Sequence, residues 1–115
     1  MAKRNIFLCD EMVKFRNYLD KHKIPWEDTS NIKSDEEIEK WISFGIEEAF
    51  ADTSIYRTKF EYKGTTYTVI NGYSTYGGYR QSTRFNEGLL EVCNWDTEEV
   101  DGGYTASEVI GLIFK

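Results

Sequence analysis

One proline, one histidine and two cysteines in 115 residues are scarcities that each remove a class of chemistry. His22 has no second imidazole to join it, and Cys9 and Cys93 stand far apart, so no tetrahedral zinc set is legible. Any Ser-His-Asp or Cys-His arrangement would have to use that same histidine. It falls at the end of a basic helical segment, where a cation complements the carbonyl end, and reads as a surface cap. Two cysteines in a chain with an adequate core read as buried, reduced thiols. Pro25 is the single fixed break, and it should end the first helix by pushing Ile24 out of the helical region.

Long apolar runs are also missing. Nothing approaches the roughly 18 residues of a membrane-spanning helix. The apolar run Ile6 to Cys9 is shorter than the roughly 7 to 15 residues of a secretory signal core, so a cytoplasmic location is expected. Glycines are present, but "GYSTYGGY" follows neither the GxxxxGK[ST] nor the GxGxxG order of phosphate loops. The acidic segment "DTEEVDGG" does not match an EF-hand. No catalytic motif stands out, and with no cofactor implied the chain reads as a binding protein rather than an enzyme.

What the chain does have is aromatic weight: 40% apolar and 16% aromatic residues, enough for one buried core in a single domain spanning residues 1 to 115. Such a domain folds alone or as a small oligomer such as a homodimer. The net charge of −6 conceals alternating blocks. Residues 1–33 carry seven basic and five acidic side chains, and 34–54 carry one and seven. Residues 55–85 carry five and one, and 86–115 carry one and seven. An acidic chain repels phosphates, which argues against direct non-specific nucleic-acid binding. The acidic blocks read either as solvated faces or as a surface that competes for a basic groove on another protein.

The pattern predicts an α+β fold: two N-terminal helices, an antiparallel sheet of three or four strands, and a short C-terminal helix. Leu8, Met12, Phe15 and Leu19 share one helical face. Ser34 with Glu37, and Thr105 with Glu108, form capping boxes ahead of apolar runs, the first continued by Ile38, Trp41, Ile42 and Ile46, with Gly45 as a break point before the last of them. "IYRTKFEYKGTTYTVING" reads as a hairpin turning at Lys63 and Gly64, with Tyr62 facing Thr65, Phe60 facing Tyr67 and Thr58 facing Val69. Its other face, with Arg57, Lys59, Glu61, Thr66 and Thr68, looks solvated and rather basic. "GLLEVCNW" reads as a further, central strand, and "DTEEVDGG" as an acidic turn.

Between these strands, residues 71–87 make a connection longer than the roughly 2 to 5 residues usual in hairpins. Tyr73, Tyr76 and Tyr79 supply rigid contact area, glycines allow close backbone approach, and Arg80 and Arg84 add forked donors. Either this is a binding loop, or its tyrosines fold back on the sheet and Tyr79 to Thr83 form another strand.

The phrases "FRNYLDKHKIPWED", "YRTKFEYKGTTYTVINGYSTYGGY", "NEGLLEV" and "YTASEVI" give the chain a texture that resembles small uncharacterised accessory proteins of phages and other mobile elements of Gram-positive bacteria. The resemblance implies an anti-defence role of the anti-CRISPR kind in the host cytoplasm: a small viral inhibitor that occupies the surface of a host immune protein, such as a defence nuclease. The alternative it implies is sequestration of a nucleotide immune signal. On the inhibitor reading Tyr73, Tyr76 and Tyr79 are anchors, and Glu47, Glu48, Glu98, Glu99 and Asp101 aid approach to a basic partner. On the alternative, the tyrosines stack a base while Arg57, Arg80 or Arg84 hold phosphates. The basic stretch 55–85 departs from the uniformly acidic surface of a pure DNA mimic.

Overall fold

β-Branched and aromatic residues alternate with polar ones on both sides of Lys63–Gly64, and that alternation builds the centre of the fold. In the computed structural model, which describes residues 4, 6–79 and 86–114, β2 (Ile55–Tyr62) and β3 (Thr65–Gly72) pair in the expected register, Tyr62 with Thr65 and Phe60 with Tyr67. Lys63 and Gly64 take φ values of 50° and 80°, the left-handed pair that matches strand twist in a two-residue hairpin. β4 (Leu90–Asn94) adds beside β3, and β5 (Glu99–Tyr104) beside β4. β1 (Trp26–Asp28) closes the far edge against β2, giving a five-stranded antiparallel sheet in the order β1-β2-β3-β4-β5.

The sheet has two more strands than the three plainest in the sequence, and each has a local reason for escaping notice. β1 is only three residues long and follows Pro25, so it carries no alternation to read. Its anchor is non-local: Arg16 lies over the Trp26 ring at 4.8 Å and donates to Thr58 Oγ1 at 2.7 Å. β5 contains Asp101, Gly102 and Gly103, turn-type residues that the sheet overrides, so "DTEEVDGG" is a turn only in its first half and a strand in its second.

The helices α1 (Asp10–Lys21) and α4 (Ala106–Ile113) pack together over one face of the sheet. Met12, Phe15 and Leu19 of α1 meet Phe60, Val69, Leu90 and Val109 in a continuous core. Leu8 does not join them; the helix starts at Asp10 with Cys9 as its cap, so Leu8 precedes it and is exposed while Cys9 is buried. The helix ends at Lys21, ahead of the break expected at Pro25: Lys23 turns left-handed at φ 56° and the Ile24 amide closes back on the Leu19 carbonyl at 2.8 Å, so the helix is already finished before the proline acts. The Thr105–Glu108 capping box is complete, whereas Ser34 accepts the Glu37 amide and the Glu37 carboxylate turns to Lys33 at 3.8 Å.

At the other end, α2 (Asp35–Ser43) and the single turn α3 (Glu48–Ala51) pack chiefly on each other, with Gly45 at φ 99° breaking the chain between them. The molecule is drawn out to 47 × 24 × 24 Å. Arg4 ties this end down, donating to Asp35 at 2.8 and 3.1 Å and to the Lys33 carbonyl at 2.7 Å. It also lies 3.8 Å from the buried carboxylate of Asp52.

Candidate functional site

The tyrosine-rich connection is ordered by its own backbone as far as it is described. Thr75 Oγ1 accepts the Gly72 amide at 3.1 Å and donates to the Gly72 carbonyl at 2.9 Å, and the Tyr79 amide reaches the same carbonyl at 2.9 Å. Tyr73 and Tyr79 form an isolated parallel bridge with their rings stacked at 6.1 Å, and Tyr79 bridges on to Asn86. Gly78 is required here, since an added Cβ would overlap Thr75 Oγ1 and the Gly72 carbonyl.

This geometry divides the three tyrosines. Tyr79 is 0% exposed, its ring 6.3 Å from that of Phe50, so it is a packing residue and cannot serve as a contact anchor. Tyr73 is half-buried against it. Tyr76 is 51% exposed and lies over Gly102, where any side chain would collide with it, while its amide donates to Glu91 Oε1 at 3.1 Å. Arg80, Arg84 and most of the stretch Tyr79 to Thr83 lie outside the described residues.

The acidic side chains fall on two separate elements. Glu47 and Glu48 open α3, and Glu98, Glu99 and Asp101 lie in the turn and outer strand of the β4–β5 hairpin. The Tyr104 hydroxyl and the Gly102 amide both donate to Asp101 and hold its carboxyl below the usual aspartate range; the same bond pushes the Tyr104 phenol up.

Beside Glu47 and Glu48 the structure exposes Trp41 and Ile46, which the sequence places on the apolar side, together with Phe44. Trp41 is 46% exposed, Phe44 68% and Ile46 42%, and the Trp41 and Phe44 rings meet edge to face at 6.2 Å. Only Ile38 of α2 is buried. The 3.6-residue period gives Trp41 and Ile38 one face, but it does not reveal that its outer half is left open among the described residues.

The second surface is the sheet face turned away from α1 and α4. A shallow groove of about 470 Å³ runs over it, lined by Thr29, Arg57, Lys59, Thr66, Thr68 and Trp95. Trp95 is 54% exposed yet fixed: its amide donates to the Thr66 carbonyl at 3.0 Å and its indole N–H to Thr68 Oγ1 at 3.0 Å. Asn94 Oδ1 shapes the turn that puts it there, accepting the Asp96 and Thr97 amides at 3.0 and 3.3 Å. Arg57 is braced by Thr29, with Nε to the hydroxyl at 2.9 Å and Nη2 to the carbonyl at 3.0 Å. Alternation in the sequence places Trp95 and Arg57 on outward faces; only the strand order brings them to one groove.

Nucleophiles are subdued. Burial pushes both the Cys9 and the Cys93 thiol up, away from the reactive thiolate. His22 ends α1 with its ring 4.1 Å from that of Tyr18. Among the described residues no three His, Cys, Asp or Glu side chains gather as a metal site, and no helix is long and apolar enough to cross a membrane. Searched against family models, curated proteins and solved structures, the chain finds no match.

Proposed function

We propose that this chain is a non-enzymatic binding protein of the anti-defence kind its sequence resembles, inhibiting a host immune protein by seating the apolar, acid-rimmed end of α2 and α3 on a basic surface. The observation that supports it most is the exposure of Trp41, Phe44 and Ile46 together within a block that carries seven acidic side chains and one basic. Large aromatics left in water are the residues that anchor interfaces once desolvated. The surrounding carboxylates steer the encounter toward a positive partner and reject a second acidic copy. Basic, groove-like surfaces are what nucleic-acid-cleaving defence proteins present, because they hold phosphates.

Relative to the sequence expectation the anchor set moves from the tyrosines to α2. Glu47 and Glu48 remain at its rim, and Tyr76 remains an exposed accessory. The alternative, a nucleotide stacked by Tyr73, Tyr76 and Tyr79, has less support, since the Tyr79 ring is buried and Tyr73 is already stacked on it.

Expressed in a bacterium armed with a CRISPR nuclease, the protein is expected to restore plating of a targeted phage. The Trp41→Ser, Phe44→Ser double variant is expected to lose that effect at an unchanged melting temperature. Plating that stays suppressed across nuclease types, or that the double variant restores equally well, contradicts the reading.

A further inference from the structure

We propose that the uncovered sheet face is a site for a small nucleotide, its base stacked on the Trp95 indole and its phosphate held by Arg57 and Lys59. The site is independent of the α2 docking end.

Three features of the groove point to such a ligand. The first is Trp95, an aromatic ring half in water that two hydrogen bonds prevent from swinging into the core. Its polar edge is satisfied by Thr68, so what remains for a ligand is its π-face, which suits a planar heterocycle of any sequence identity.

The second is charge. In a chain with 20 acidic and 14 basic side chains, the groove is lined by two cations and no carboxylate. Thr29 holds the Arg57 guanidinium by Nε and Nη2 and leaves Nη1 without a hydrogen-bond partner among the described residues. Lys59 has no carboxylate within ion-pair distance there, although Glu27 stands opposite it in the β1–β2 register. Glu27 and Glu61 line the adjoining depression, which shares Lys59 and Thr66 with the groove, so the Arg57 and Trp95 end is the one clear of carboxylates. A braced guanidinium beside a mobile ammonium is the donor set that phosphate recognition uses.

The third is size. About 470 Å³ lies within the range of small-molecule clefts and accommodates a mononucleotide or dinucleotide. A long polyanion is disfavoured by the net charge of −6, since every further phosphate is brought up to an acidic chain.

Isothermal titration with adenosine 5′-monophosphate tests the site, with adenosine and inorganic phosphate as separate arms. The monophosphate is expected to bind at least about tenfold more tightly than either fragment, because stacking and charge are both required. Lys59→Glu, at an exposed position and with its melting temperature measured alongside, and Trp95→Ala should each weaken it by at least about tenfold. Trp95→Phe, which keeps a ring, should retain most of the affinity, and Lys21→Glu, the same charge change on α1, should retain all of it. Absence of binding up to about 10 mM monophosphate overturns the proposal. So does affinity unchanged by Lys59→Glu, or inorganic phosphate bound as tightly as the nucleotide.

Discussion

Asn71 and Asn86 exchange amide hydrogen bonds at 3.1 and 2.9 Å across the base of the tyrosine-rich connection, and Asn71 also donates to the Leu89 carbonyl at 2.8 Å. Asn71 is fully buried and Asn86 partly so, and the buried side of the pair is where lost partners are costly. Asn71→Ala should therefore destabilise the fold by about 2 kcal/mol, by stranding the Asn86 amide and a carbonyl. Guanidinium denaturation reads this directly, and a loss below about 0.5 kcal/mol would show that the pair is ornamental.

Two tyrosines within that loop should part company. Tyr79→Ala removes a ring packed near Phe50 and is expected to cost about 3–5 kcal/mol. Tyr76→Ala, half in solvent, should stay within about 0.5 kcal/mol of the parent. Equal melting temperatures for the two variants would contradict the burial described.

Glu11 links α1 to α4: its carboxylate accepts the Ala106 amide at 2.8 Å, a helix-start donor with no partner inside its own helix, and the Lys14 ammonium at 3.1 Å. The amide bond chiefly, then Lys14, lowers the Glu11 pKa from its ordinary 4.5. A carboxylate with a depressed folded pKa stabilises fully above its unfolded value and loses that contribution as pH falls through the folded one. Glu11→Gln should thus cost about 1–2 kcal/mol at pH 7, and the gap to the parent should close below about pH 4.5. A gap that persists unchanged at pH 3 would assign the effect to shape rather than charge.

The hairpin register, the capped helix starts and the Met12–Phe15–Leu19 stripe were legible because each is written in adjacent residues. β1 and β5 were not, since a three-residue strand has no period and Gly102–Gly103 reads as a turn until β4 pairs with it. The surfaces were the least legible part. Tyr79 and Tyr76 are chemically identical, three positions apart, and only the fold back to Asn86 buries one of them. Trp41 carries the same periodic signal as the buried Ile38, because amphipathic spacing marks a face without saying whether another element covers it. Trp95 reaches the groove through an Asn94 turn, which is local, and the β3 pairing, which is not and has no local sequence signature.

Native mass spectrometry of the protein mixed with candidate CRISPR nucleases is the most direct test of the docking account. A complex of defined stoichiometry with the parent protein, and free components with the folded Trp41→Ser, Phe44→Ser variant, is the predicted result. A complex that survives both substitutions would contradict it.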